Sequence, residues 1–172
     1  MRGLSLLFMG FLLLTIAVSG CSDINCVSSS ASYANYLFKD KNDSTLRFLD
    51  TLSVGTRTLF GRDSVLMNRL IGDTAMSLPV SSSLTSDTLY FFYFWRQNNL
   101  KEALDTLIVE HSNIPHFTSP ECGISVTHSI KNVKYTKHFI EDIQILNNDV
   151  SSTTAYNFKI RFNVLATDTI WK

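Results

Sequence analysis

Three cysteines and four histidines are the side chains of this 172-residue chain best suited to chemistry. The histidines are His111, His116, His128 and His138. No two of them form a helical metal-binding pair, and none has the spacing of a structural zinc site. His111 and His116 flank Pro115, with Glu110 and Glu121 close by, so a shared loop could hold a metal ion. Four scattered histidines read instead as surface or strand residues, and no metal or other cofactor is expected. Asp40-Lys41-Asn42-Asp43 resembles the opening of a calcium loop. Thr45 stands where that loop needs glycine and Thr51 where it needs glutamate, so the pattern fails. A Gly-x-Ser-x-Gly elbow and a glycine-rich phosphate loop are both absent from the sequence. Glu141 and Asp142 adjoin, which on a strand points them to opposite faces, a poor arrangement for a glycosidase. No catalytic residue is assigned, and the chain is read as a non-enzyme.

Cys21 has a different character. The chain opens Met1-Arg2-Gly3, runs through an apolar stretch from Leu4 to Val18, and reaches Ser19-Gly20-Cys21. A cationic start, an apolar core and small residues before a cut site describe a secretory signal. The apolar part is short for a membrane span and is followed at once by polar sequence. Val18-Ser19-Gly20-Cys21 resembles a bacterial lipobox, cut between Gly20 and Cys21. That resemblance implies fatty acylation (palmitate-type chains) of the Cys21 thiol and of the amine freed by cleavage. Two or more chains give stable anchoring where a single chain binds marginally, at ~0.8 kcal/mol per buried methylene. The membrane is thus the one expected partner, reached through acyl chains on Cys21. Ser22-Asp23-Ile24-Asn25 supplies a single acid after that cysteine, a weak match to surface-export signals. The expected location is an outer-membrane anchor facing the periplasm.

Composition agrees with one exported domain. Hydrophobic residues make up 45% and charged residues 17%, with 15 basic and 15 acidic side chains, so there is no footprint for nucleic acid. The organisation read from the chain is a signal peptide over 1–20, a lipidated serine-rich leader over 21–32, and a single domain over 33–172. With Cys21 acylated, Cys26 and Cys122 remain. In an oxidising compartment two such thiols point to a disulfide. The alternative is Cys122 as a nucleophile, in Pro120-Glu121-Cys122-Gly123, although no cysteine-hydrolase pattern surrounds it.

Beyond the leader the hydrophobic signal has period two. Tyr156, Phe158, Ile160 and Phe162 alternate with polar residues; Val126, His128 and Ile130, and Ile143 and Ile145, do so more briefly. Thr88–Trp95 is apolar or aromatic on both faces and reads as a strand covered on both sides. Gln97-Asn98-Asn99 then turns the chain back through Leu104–Val109. Further strands are expected at Tyr33–Lys39, Leu52–Leu59 and Thr74–Val80. Val65–Ile71 and Thr136–Asp142 could hold a helical turn or two. Seven to nine short strands predict an all-β fold, an antiparallel β-sandwich (Ig-like or related) preceded by a cleaved signal helix.

Seven of the eleven aspartates are followed by Ser or Thr and then an apolar residue or Thr. The hydroxyl residues are Ser44, Thr51, Ser64, Thr74, Thr88, Thr106 and Thr169. Turn chemistry explains the pattern, with aspartate folding back on the backbone before a strand opens. The tripeptide also resembles the O-glycosylation sequon of Bacteroidota, and an exposed turn would satisfy both readings.

Taken together, several features resemble a family of small uncharacterised lipoproteins from Bacteroidota. They are the lipobox cysteine and a second cysteine soon after it, the Thr88-Leu89-Tyr90-Phe91 strand and Glu121-Cys122-Gly123. Tyr135-Thr136-Lys137-His138-Phe139-Ile140 and the last alternating strand complete the set. The resemblance implies an all-β fold and favours a Cys26–Cys122 bridge, and it brings no activity. The expected function is a lipid-anchored envelope module, binding or structural, whose protein or glycan partner is unknown. One alternative is a glycan-binding module using Tyr90, Tyr93 and Trp95, and another is a hydrolase using Cys122.

Overall fold

The computed structural model describes residues 32–48, 51–58, 61, 63–95, 101–120, 122–151 and 155–163. The segment read as a signal peptide, Cys21, Cys26, most of the expected leader, Gln97-Asn98-Asn99 and Thr169 lie outside them. Ten strands run β1 Tyr33–Lys39, β2 Thr51–Arg57, β3 Asp63–Leu70, β4 Ala75–Pro79 and β5 Ser86–Trp95. They continue with β6 Lys101–Ser119, β7 Gly123–Tyr135, β8 Ile140–Ile145, β9 Asp149–Val150 and β10 Phe158–Phe162. No described residue is helical.

Two sheets form, one in the order β4-β1-β10-β8 and the other β3-β2-β5-β6-β7-β9. The all-β sandwich expected from period-two patterning is the fold. It differs in detail. The strands number ten, and β1 pairs with β10 in parallel, Tyr36 opposite Phe158 and Phe38 opposite Ile160. Val65–Ile71 is not helical, for β3 occupies it as an edge strand whose pairing with β2 slips twice. Thr136–Asp142 holds a connecting turn and the start of β8.

Alternation decides which side chains face inward. Tyr36 and Phe38 of β1, Phe91 and Tyr93 of β5, and Phe158, Ile160 and Phe162 of β10 are buried. Rings from both sheets meet at one end. Phe48 lies edge-on to Phe162 at 5.0 Å between centroids, and Phe139 lies 4.3 Å from Tyr93. Such pairs contribute about 0.5–1.5 kcal/mol each beyond their buried area.

In the same region a buried carboxylate ties the sheets together. Asp105 of β6 lies wholly inside and faces the crossover from β7 to β8. Its Oδ1 accepts hydrogen bonds from Thr136 Oγ1 at 2.7 Å and the His138 amide at 2.8 Å. Its Oδ2 accepts from the amides of Phe139 at 2.7 Å and Ile140 at 2.9 Å. Burial alone would raise the Asp105 pKa. The donors on His138, Thr136, Ile140 and Phe139 outweigh it and hold the carboxyl below the usual range. Replacing Asp105 by Asn puts an NH2 group where amide donors point. Asp105→Asn is expected to lower stability by about 2–4 kcal/mol, read as a shift of the urea midpoint at pH 7. An unchanged midpoint would show that the carboxylate holds nothing together.

Candidate functional site

At the other end of the large sheet's inner face the alternation brings four polar side chains together. Asp87 of β5, His111 and Asn113 of β6 and His128 of β7 occupy positions that would otherwise be apolar core. His111 and His128 are buried, with their rings edge-on at 5.3 Å. Asn113 organises the group. Its Nδ2 donates to the carbonyls of Ser82 and Leu84, both at 2.9 Å, in the loop between β4 and β5. That fixes Oδ1 toward the imidazoles, where it lies 2.9 Å from His111 Nδ1 and 2.8 Å from His128 Nδ1. An amide oxygen only accepts, so each Nδ1 carries a hydrogen.

His111 turns its other ring nitrogen toward β5. Its buried Nε2 lies 3.3 Å from Asp87 Oδ2, near enough for an ion pair but not aligned as a hydrogen bond. A bare Nε2 lone pair would face a carboxylate oxygen there. Asp87 Oδ2 also accepts the Ser81 amide at 3.0 Å, which pins the β4–β5 loop over the cluster. Tyr36, across the sandwich in β1, has its phenol pushed up by burial and by the Asp87 charge.

Asp87 is the member of the group that reaches a surface. It lines a cleft of about 240 Å3 together with Thr56, Arg57, Val80, Ser81 and Leu84. The order of exposure is the reverse of a hydrolytic dyad, since here the carboxylate faces the cleft and the imidazole sits behind it. A buried imidazole can steady the charge of Asp87, but it cannot reach a substrate.

The residues singled out in the sequence fall elsewhere. His111 and His116 both lie on β6 rather than in a shared loop, and His116 is exposed, with Nε2 2.8 Å from Thr127 Oγ1. His138 stands beside Asp105. Among the described residues no three His, Cys, Asp or Glu side chains are grouped to hold a metal ion. Tyr90 and Tyr93 do not share a face. Tyr93 is buried in the aromatic core, Tyr90 is half-buried on the outside, and the Trp95 side chain lies outside what is described. The outer face of β5 instead presents Phe92 and Phe94, 49% and 39% exposed, so this strand is not covered on both sides. Phe92 lies across Gly55 of β2, where an added Cβ would come within 3.8 Å of its ring.

The Asp-Ser/Thr tripeptides separate by position. Ser44 is exposed in the turn after β1, whose Asp40 Oδ1 accepts the amides of Asn42 and Ser44. Thr51, Ser64, Thr74 and Thr88 stand at or near strand openings, as turn chemistry predicts. Thr106 is mid-strand in β6, next to the buried Asp105. Cys122 sits in the turn between β6 and β7, just before Gly123 at φ 73°, with its amide donating to Ser119 Oγ at 3.1 Å.

The fold and this interior define a class: a two-sheet β-sandwich whose large sheet carries one polar cluster at each end of its inner face. The chain belongs to the Family of unknown function (DUF6452), whose model matches residues 51–162, from the first residue of β2 to the last of β10. No curated protein and no solved structure matches it.

Asp87, Asn113 and His128 as a group escaped the sequence reading. The signal available was the inward parity of 107, 109, 111 and 113 along β6, which carries a polar pair straight on from Leu107 and Val109. Desolvation lowers the His128 pKa, and the neighbouring His111 lowers it further against a smaller opposing effect of Asp87. A histidine held neutral in the fold is protonated more readily when unfolded. Stability should therefore be full above about pH 6.5 and fall as pH drops below it. His128→Asn keeps a donor for Asn113 and removes the titration, so its urea midpoint should change less than the wild type's between pH 7.5 and pH 5. Equal acid sensitivity in the two proteins would rule His128 out as the source.

Proposed function

We propose that this member of the family is a lipid-anchored module of the bacterial cell envelope, of the kind found in Bacteroidota, which binds or supports rather than catalyses. The observation that carries this reading is Val18-Ser19-Gly20-Cys21 at the end of the apolar stretch, behind a single cationic residue. Cleavage before Cys21 and acylation of that residue would leave the domain on a leader over 21–32 at the periplasmic face of the outer membrane. Two features of the fold support a leader fastened to the body. Ser32 Oγ donates to the Val126 carbonyl at 2.8 Å, on β7 of the opposite sheet, and Cys122 stands in the turn of the same hairpin. We assign Cys26 as the disulfide partner of Cys122, the pairing that the family resemblance favours.

The test is metabolic labelling with a palmitate analogue, followed by separation of inner and outer membranes. The wild type should carry label and sediment with outer membrane, and Cys21→Ala should be unlabelled and released. Label that survives in Cys21→Ala would reject the anchor. For the bridge, peptide mapping without reductant should recover Cys26 joined to Cys122. Closing a loop of nearly 100 residues is worth up to about 4–5 kcal/mol in the chain-entropy model, so Cys26→Ser should unfold at markedly lower urea. Recovery of Cys26 as a free thiol would reject the pairing.

A further inference from the structure

The β6–β7 hairpin extends well past the sandwich. β5 pairs with β6 only as far as Glu110, and β9 meets β7 only at His128 and Ser129. From Ile114 to Thr127 the two strands pair only with each other, an arm of roughly 20 Å at 3.3 Å per residue. Pro115 lies opposite Val126 and Phe117 opposite Ile124. By parity these pairs continue the inner face beyond Asn113 and His128, where the second sheet no longer covers it. Phe117 is 71% exposed and Ile124 62%, and Ile114 on the reverse face is exposed as well. Over residues 111–130 the sequence holds no Lys or Arg and one acid, Glu121. A bare apolar strip on a projecting, almost uncharged arm is suited to a lipid interface, where burying apolar area is favourable and fixed charge is costly.

We infer that the end of this hairpin, Phe117 and Ile124 foremost, dips into the lipid surface to which the protein is anchored. The inference rests on the lipid anchor at Cys21 and on the Cys26–Cys122 bridge. The length of chain between anchor and arm makes the argument. Eleven Cα-to-Cα steps, through ten intervening residues, separate Cys21 from Ser32, which is bonded to this arm at Val126. Fully extended they span about 36–40 Å, enough to let the domain tumble. Bridging Cys26 to Cys122 leaves five such steps between the acylated cysteine and the bridged Cys26 at the tip of the arm, at most about 18 Å. A domain of this size is about 35–40 Å across, so a tether that short holds the tip, and not the far end of the sandwich, toward the bilayer.

The test uses the mature acylated protein in vesicles of phosphatidylethanolamine and phosphatidylglycerol, with and without acyl chains brominated near the headgroup. A single fluorescent probe is introduced as Phe117→Trp in a Trp95→Phe, Trp171→Phe background, and a companion protein carries Phe92→Trp instead. Flotation with the vesicles reports the anchor separately. Brominated lipid should quench the Phe117→Trp emission by about twofold or more and shift it to the blue, and leave Phe92→Trp nearly unchanged, as expected for a side chain at the headgroup boundary. A protein that floats with Phe117→Trp unquenched would overturn the inference while the anchor stands. A protein that does not float would sink the anchor, and the inference with it. A blue shift already present without lipid would assign the strip to the leader over 22–31. A blue shift that grows with protein concentration would assign it to a second copy of the chain. Either result would overturn contact with the membrane.

Discussion

Asp105 is the constraint on which the arrangement of the two sheets depends. A carboxylate deep between sheets is costly unless donors replace its hydration, and here the donors come from a single short stretch, Thr136 to Ile140. That stretch carries the chain from the large sheet into β8 of the small one. Fixing it fixes where β8 begins, and β8 sets the register of β10 through Ile160 opposite Ile143. β10 in turn holds β1. Phe139, delivered between two of those amides, lands against Tyr93 and Phe162, so one polar contact also aligns the aromatic core. The Tyr93 hydroxyl is held strongly protonated, first by burial and then by the Asp105 charge. Asn157 plays a smaller version of the same part. Its Oδ1 accepts the Asn35 amide, and its Nδ2 donates to the carbonyls of Asn147 and Asp149, joining β1 to the turn after β8.

Much of the fold was legible because half-buried strands write their geometry as alternation. Tyr33–Lys39 is β1 to the residue, and Phe158, Ile160 and Phe162 point inward as their spacing requires. Pairing is another matter. Period two says which side chains share a face but not which strand lies alongside, so the parallel contact between the first and last strands left no mark. β3 was obscured because Val65, Leu66, Met67 and Leu70 fit neither period, the consequence of an edge strand with two register slips and little burial. Thr88–Trp95 misled in the opposite sense. Apolar residues on both faces suggested cover on both sides, whereas Phe92 and Phe94 face outward in the open.

The polar clusters were harder to see for a physical reason. Each is assembled from segments distant in the chain and brought together only by strand pairing, across β5, β6 and β7 for the Asp87 group and across β6 and β7 for Asp105. Asp105 resembled the other Asp-Thr-Leu tripeptides, and Asp87 resembled Asp105. Their roles differ because one meets backbone amides from a crossover while the other meets a histidine ring and a single loop amide. Nothing local distinguishes them. Glu110, two residues after Ile108, shows the contrast on the outer face. There Lys134 and Asn132 hold its carboxyl below the usual range, and water screens the pair.

The placement of the Asp87–His111–Asn113–His128 group follows from where the sandwich ends. Along β6 the inner face runs Leu107, Val109, His111, Asn113 and then Pro115 and Phe117. The change to polar residues falls where β5 stops pairing and the β4–β5 loop, rather than the opposing sheet, becomes the cover. Loop carbonyls need donors, and Asn113 supplies two. Its own oxygen then needs hydrogens, and the two imidazoles supply them. The group is thus a satisfied polar seal at the open end of the core. A hairpin that merely ran on into water would stay polar beyond such a seal, because a two-stranded arm gains nothing from unpartnered apolar side chains. The return to Pro115, Phe117, Ile124 and Val126 keeps the core's inward parity but leaves Phe117 and Ile124 uncovered. The proposed contact with lipid would cover them.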